Sequence, residues 1–207
     1  MISVAIEKKL KGYAGAGTLK VQHQFATGSV TAIHGPSGAG KTTFLKIVAG
    51  LTSPENGLIT VNEQVWLDTA RKVNLSPQQR RLGFVFQDYA LFPNMSVTEH
   101  MQYATNDKDW IDYLLKAGKL ETLTKHQPAY LSGGQQQRLA ILRALAIKPQ
   151  IILMDEPFSA LDKLTKNELI IELSAVFKTL KSTVLVVTHN PDELSRIADE
   201  ELYISAI

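Results

Sequence analysis

"SVTAIHGPSGAGKTTFLKIVAGL", residues 29–51, is the most informative stretch of the chain. Its first part, "SVTAIHG", is a short apolar run rich in β-branched residues that stops at a glycine. Its last part places Phe44, Leu45 and Val48 at helical spacing and ends at Gly50. The order is strand, glycine-rich loop, helix. The loop, Gly35-Pro36-Ser37-Gly38-Ala39-Gly40-Lys41-Thr42, fits the pattern G-x-x-x-x-G-K-[ST]. Glycines at these places let the backbone curl until successive N–H groups point inward at phosphate oxygens. The helix beginning near Lys41 adds its positive end. Lys41 can reach β- and γ-phosphates as a point charge, the Thr42 hydroxyl can ligate Mg²⁺, and Thr43 extends the phosphate-contacting run. A glycine-rich turn with a lysine cap is the simpler alternative, but the strand before and the helix after favour a nucleotide. A serine nucleophile in G-x-S-x-G is excluded because Ala39 stands where the final glycine belongs.

Working outward, "IILMDE" (151–156) and "TVLVVTH" (183–189) are continuous apolar runs ending in polar residues, as strands buried on both faces of a parallel sheet are. "RLGFVFQ" (81–87) reads as another short buried strand. "GLITVNEQVWL" (57–67) reads as one or two strands of a small antiparallel sheet together with residues 1–25. From about 88 to 148 the pattern is mainly helical, with a polar break at "TNDKD" (105–109). These segments predict an α/β fold on a parallel-sheet core. The expected organisation is one domain over 1–207. Residues 1–87 and 144–207 form the core with its antiparallel β part, and 88–143 form a helical insertion. Ligands in such sheets bind at the carboxyl ends of the strands.

The bulk composition is that of a globular chain. It has 207 residues, 44% hydrophobic and 20% charged, with a formal net charge of +2 and no cysteine. That charge is too small to point to nucleic acid, and a thiolate metal site or disulfide framework is excluded. "MISVAIEKKLKGY" lacks the pattern of a signal peptide. The longest apolar stretch, "AILRALAIKPQIILM", is interrupted by Arg143, Lys148 and Pro149, so any work at a membrane is expected to be that of a peripheral subunit.

Asp155 and Glu156 end the run "IILMDE". Neighbouring strand residues face opposite ways, so the two carboxylates are expected to do different work. Asp155 suits Mg²⁺, directly or through water. Glu156 is expected beside the γ-phosphate, accepting a proton from the attacking water or orienting it. His189 ends "TVLVVTH" and is a candidate γ-phosphate contact. Gln87 ends "GFVFQ" and can ligate Mg²⁺ through its oxygen or hold a water. The other histidines, 23, 34, 100 and 126, show no metal-ligand spacing.

A second glycine-bearing turn follows at "YLSGGQQQRLAILRAL" (130–145). Ser132 and Gln135 fit the S-x-x-Q capping box. Capping alone does not call for Gly133 and Gly134. Two residues without Cβ leave a helix end that another molecule can approach closely.

"LSGGQ" (131–135) resembles the signature motif of ABC-transporter ATPases. Its order with "GPSGAGKT", "FVFQD", "IILMDEP", "SALD" and "VVTHN" is similar to that family along nearly the whole chain. The resemblance implies a P-loop NTPase fold with a RecA-like core. It also implies a head-to-tail homodimer holding two ATP molecules, each between one subunit's P-loop and the other's Ser132, Gly133, Gly134 and Gln135, with Asp162 nearby. Gln87 takes the family's Q-loop place, Asp155 and Glu156 the Walker B aspartate and catalytic glutamate, and His189 the switch histidine. Lys41 is catalytic as well as ATP-binding, and Tyr13 is the candidate for stacking on adenine. The longer stretches "TGSVTAIHGPSGAGKTTFLKIVAGL" and "LSPQQRRLGFVFQDYALFPNMSV" look most like oxyanion-import ATPases, molybdate above all; sulfate, iron and polyamine importers share much of this. The implied partners are integral membrane permease subunits, the exposed aromatics around Tyr89 and Phe92 helping to form their docking groove, and indirectly a substrate-binding protein. The implied location is the cytoplasmic face of the inner membrane. The C-terminal oxyanion-binding domain frequent in molybdate ATPases is not expected in these 207 residues. The rival readings are an exporter, a small-molecule kinase and a DNA-repair ATPase. A kinase has no use for "LSGGQ", and a repair ATPase would carry a long coiled coil between Gln87 and Leu131.

Overall fold

The computed structural model describes residues 1–12 and 15–205. Ten strands and six α-helices run in the order β1 (Ile2–Gly12), β2 (Gly15–Phe25), β3 (Val30–His34), α1 (Lys41–Val48), β4 (Asn56–Val61), β5 (Gln64–Asp68), β6 (Val73–Asn74), α2 (Pro77–Arg80), β7 (Gly83–Val85), α3 (Val97–Ala104), α4 (Lys108–Ala117), α5 (Gly133–Ala146), β8 (Ile151–Asp155), α6 (Lys163–Leu180), β9 (Thr183–Val187) and β10 (Glu200–Tyr203). Among the described residues these strands form two sheets. One is ordered β10-β3-β9-β8-β7 with every pairing parallel, and the other is antiparallel in the order β2-β1-β4-β5-β6.

The apolar runs of the parallel sheet are explained by two cores, one on each face. Ile33, Ile151, Leu153, Leu185 and Val187 pack with the antiparallel sheet and with Phe44, Leu45, Ile47 and Val48 of α1. Their strand neighbours Ala32, Ile152, Met154, Val184 and Val186 pack on the opposite side with α3, α4, α5 and α6. Period-two alternation thus feeds both cores; the polar residues of these strands are end positions such as Thr183 and Asp155, or are buried with a partner, as Thr31 is with Glu200 at 2.8 Å. The carboxyl ends of β3, β8 and β9 are held in fixed relation to α1, and the functional site is built there.

Arg80 is the main polar tie between the layers and is 4% exposed. Its guanidinium donates to the carbonyls of Ile47 (2.8 Å) and Val48 (2.6 Å) at the C-terminus of α1, to Leu75 O and to Asn74 Oδ1. A cation is favoured at that end of a helix. Burial lowers its pKa to about 10, which leaves it charged at neutral pH.

Two expectations change. The strand predicted over 81–87 is confined to Gly83–Val85. Arg81 adopts φ 47° and Tyr89 φ 64°, and the N–H of Tyr89 turns back to Phe86 O at 3.0 Å. Gln87 therefore sits in a loop two residues past the strand. The helical stretch predicted from about 88 to 148 is interrupted at 88–96 and 118–132, apart from a single 3₁₀ turn, Pro128–Tyr130. The second of these loops is fixed to α3, since Val97 N donates to His126 O and Thr98 N to Thr124 O. No described helix is long and apolar enough to cross a membrane.

Candidate functional site

Gly35 ends the β3 segment with φ 148°, and a Cβ there would lie 2.0 Å from the Ile204 carbonyl oxygen. The glycine is therefore demanded by the chain passing beside β3 as much as by any ligand. The loop then closes on Lys41. That side chain is 6% exposed, and its ammonium donates to Gly35 O at 2.8 Å and Pro36 O at 2.9 Å. A buried ammonium needs such acceptors. Gly40 caps α1 with φ 92° and offers no side-chain acceptor, so the first N–H groups of α1 keep their donor capacity. Ser37, Gly38, Gly40, Lys41, Thr42 and Thr43 line a cleft of about 970 Å³ together with Glu156 and His189. Lys8, Lys9 and Lys46 also border it. Lys8 is paired there with Glu55 at 3.1 Å, so the net added charge that the sequence reading missed comes from Lys9 and Lys46; Lys46 stands one helical turn past Thr42, but nothing in "IEKKL" (6–10) shows that β1 passes the cleft.

Asp155 lies beneath this wall, 2% exposed, and its Oδ1 accepts the Thr42 hydroxyl at 3.1 Å. Burial raises its pKa from the ordinary aspartate value; the Thr42 bond opposes the rise and the charge of Glu156 reinforces it. A buried carboxylate beside a hydroxyl is a hard-oxygen pair suited to Mg²⁺, which takes one or two carboxylates and completes its shell with phosphates and water. Gln87 is exposed, in the loop beyond the neighbouring strand β7.

Glu156 diverges from Asp155 for a reason other than strand alternation. It has left the strand, with φ 50°, and its N–H donates to Val187 O on β9 at 3.0 Å. This left-handed turn carries the carboxylate to the cleft, where Oε1 lies 2.7 Å from His189 Nε2. Glu156 and His189, predicted separately from two strand ends, are thus in contact. Tyr13 lies outside the described residues; Leu10, three positions earlier, borders the cleft.

Ser132, Gly133, Gly134, Gln135 and Asp162 do not line this cleft. Ser132 caps α5 in a full capping box: its Oγ accepts from Gln135 N at 3.3 Å, and Gln135 Oε1 accepts from Ser132 N at 2.8 Å. The two glycines have different reasons. A Cβ on Gly134 would meet Leu161 Cδ2 at 2.9 Å, whereas on Gly133 it would meet only Ala160 Cβ at 3.9 Å. Gly134 is accounted for by packing within the chain, and Gly133 alone has room beside it. Asp162 caps α6, accepting from Leu164 N and Thr165 N at 3.1 Å each. Its bonds with Thr165 hold its pKa below the ordinary value.

The loop after Gln87 is anchored to α5. Arg143 donates to Ala90 O (2.7 Å) and Tyr89 O (3.1 Å) and lies over the Phe92 ring at 5.4 Å. His100, fully buried, has Nδ1 2.8 Å from Ser96 O and Nε2 2.9 Å from Phe92 N. Burial lowers its pKa, consistent with a neutral ring that donates from Nδ1 and accepts at Nε2. Phe92 and Tyr103 stay exposed and meet edge to face at 5.1 Å. Tyr89, expected among the exposed aromatics, is instead partly buried against the helical core.

Residues 19–159 match the family described as "ABC transporter". The chain is 42% identical over 202 residues to a molybdenum import ATP-binding protein of Haemophilus ducreyi, covering 97% of this chain and 56% of that protein. It is 39% identical over 206 residues to a protein of the same name from Shewanella sp. strain MR-7, covering 99% and 56%. The chain therefore spans little more than half the length of these relatives. Among solved structures, a bacterial ABC transporter cassette determined as a dimer superposes with TM-score 0.82 at 32% identity, covering 99% of this chain and 94% of that one. The same cassette in a post-hydrolysis state bound to ADP and Pi superposes with TM-score 0.83.

Proposed function

The chain belongs to the ABC transporter family, and from that premise we propose that it is the ATP-hydrolysing subunit of an importer for molybdate or a related oxyanion. The observation that carries the catalytic part is the 2.7 Å contact of Glu156 with His189, which lines the same cleft as residues of the 37–43 loop. The oxyanion is suggested by the relatives named as molybdenum import proteins.

ATP enters with its phosphates along the Gly35–Thr43 loop, where backbone N–H groups and the N-terminus of α1 offset their charge. Lys41 exchanges its two carbonyl partners for phosphate oxygens, and Lys46 adds charge behind it. Thr42 and Asp155, with Gln87 from the adjoining loop, would hold Mg²⁺, which would supply positive charge to offset that of the phosphates. Glu156 accepts the proton of the water that attacks the γ-phosphorus, and the bond to the β–γ bridging oxygen breaks to leave ADP and phosphate. His189, donating from Nε2, orients the Glu156 carboxylate and then the γ-phosphate.

The second cradle serves a second copy. Two chains meet head to tail, a reading supported by a similar cassette that was determined as a dimer, and Ser132 and Gly133 of one meet the γ-phosphate held by the other, with Gln135 and Asp162 beside them. Residues 88–143 act as a helical unit set against the core formed by 1–87 and 144–207. The exposed Phe92 and Tyr103 rings suit the groove that receives a permease segment on the cytoplasmic side of the membrane, and a substrate-binding protein selects the oxyanion.

The decisive experiment uses the complex with its permease. Oxyanion-loaded binding protein is expected to raise ATPase activity with molybdate above sulfate. Glu156→Gln is expected to bind Mg-ATP, turn over at least about 100-fold more slowly and collect as a dimer on a sizing column. Turnover at the normal rate in that variant would remove Glu156 as the base.

A further inference from the structure

Gln137 is 1% exposed, and its amide is directed at a single segment. Nε2 donates to Glu156 O at 3.2 Å and to Ser159 Oγ at 3.2 Å, while Oε1 accepts from Ala160 N at 3.1 Å. Leu161 and Ala160 are also what a Cβ at Gly134 or Gly133 would face, at 2.9 and 3.9 Å, so the same segment lies alongside the start of α5, whose positions three and four apart share a helix face. The first turns of α5 therefore lie on the segment that runs from Glu156 to Leu161.

The consequence falls on Glu156. Its left-handed conformation, φ 50°, is uncommon for a residue with a Cβ and needs support from around it. Its N–H is held by Val187 on β9, and its carbonyl accepts from Ser159 N (3.4 Å) and Oγ (3.2 Å) within the same turn and from Gln137 on α5, the one of these donors that belongs to another element. One end of the glutamate's backbone is tied to the nucleotide-binding core. The other is tied to the helix whose start, Ser132 and Gly133, faces outward.

We propose that Gln137 is a positioning residue that makes the placement of Glu156 depend on the position of α5. It rests on the functional reading above. When the Ser132–Gly133 helix end engages the nucleotide on a second copy, the shift of α5 is carried through the Gln137 amide to this chain's own Glu156. Each chain thereby senses at its signature helix that the partner holds ATP, and sets its own base in response. The two composite sites of the dimer are linked inside each subunit as well as across the interface.

The test takes the full chain with its permease and compares wild type, Gln137→Ala and Gln137→Glu. For Gln137→Ala, Mg-ATP affinity of the monomer is expected within about threefold of wild type, because the 35–43 loop is untouched. The kcat is expected to fall at least about tenfold with KM little changed, the signature of an interaction made in the transition state. The ATP-driven dimer should then accumulate without any change at Glu156. Gln137→Glu separates this from simple packing. An ionised carboxylate still accepts from Ala160 N but has no proton for Glu156 O, whereas the neutral acid has one. The kcat of this variant relative to wild type is expected to climb as pH falls from about 8.5 to about 6, since burial raises a carboxyl pKa into that range. The inference is overturned if a folded variant keeps kcat within twofold of wild type, or if Gln137→Glu shows a flat relative pH profile. It is also overturned if ATP affinity and kcat fall together. Should Gln137→Ala not fold, Gln137→Glu alone decides. A wild-type chain that neither binds nor hydrolyses ATP would sink the functional reading and this inference with it; an active wild type with an unaffected variant sinks the inference alone.

Discussion

Two described helices begin at glycines, Gly40 just ahead of α1 and Gly133 and Gly134 in the first turn of α5, and they treat their first N–H groups in opposite ways. The α1 helix starts at Gly40, which gives it no side-chain cap, and its donors face the cleft that Lys41 and Thr42 line. The α5 helix starts at Ser132, whose capping box supplies partners from within the chain. A helix N-terminus left without an acceptor of its own is ready for phosphate. One already capped holds its shape without a ligand and keeps only part of its donor capacity. The first is a binding site in its own right. The second is rigid enough to be presented to something outside, with the Ser132 hydroxyl proton and the space at Gly133 as what it offers.

The sharpest way to break this distinction is at the α1 cradle. Asp155→Asn removes the carboxylate that Thr42 contacts at 3.1 Å and is expected to lower Mg-dependent ATP hydrolysis by about 100-fold or more, in line with loss of a major electrostatic contributor. The fold should gain. Burial raises the folded pKa of Asp155, so its ionised form costs stability. That cost is absent below the unfolded value of about 3.9 and grows as pH rises through the unfolded and then the folded pKa. Thermal unfolding of Asp155→Asn should thus match wild type near pH 4 and lie above it at pH 7. A variant less stable at pH 7 would show that the Thr42 bond outweighs burial.

Ser132→Arg tests the other cradle. Ser132 is exposed, so the monomer should fold and bind Mg-ATP within about threefold of wild type. A long cation in the dimer seam is expected to reduce ATP-driven dimerisation and kcat by at least about 30-fold, the scale of a misplaced interfacial group. Lost binding in the monomer would assign the signature to its own chain's site and end the contrast between the helices.

Much of this was legible in the sequence, for identifiable reasons. The P-loop, the acid pair and the three strand ends are local patterns, and period-two burial on both sides writes parallel strands as apolar runs. The Glu156–His189 contact was not legible as a contact, because strand order is a tertiary property and β8 and β9 pair only in the folded sheet. The turn at Glu156 was also hidden: a positive φ at glutamate has no residue signature. Gln137 read as one more polar residue in "GGQQQR", since only packing shows which of three glutamines is buried.

The smallest expected effect separates the paired glycines, which the sequence presents as equivalent. Gly134→Ala would set a Cβ 2.9 Å from Leu161 Cδ2, so Leu161 has to move and the α5–α6 junction loosens. The expected loss in thermal or denaturant unfolding is about 1 kcal/mol, the low end for overpacking, because the obstructing atom ends a flexible side chain. Gly133→Ala meets only Ala160 Cβ at 3.9 Å, and alanine favours a helix over glycine by about 1 kcal/mol in a helix interior and by less at its first position. The monomer should be as stable as wild type or slightly more so. Yet Gly133→Ala is the variant expected to weaken ATP-driven dimerisation, since its methyl group occupies the space beside the helix end. Stability and assembly should therefore move in opposite senses at adjacent positions. If both substitutions instead lower stability alike and leave dimerisation alone, the paired glycines serve only packing, and α5 has no more claim than any capped helix to a phosphate on another chain.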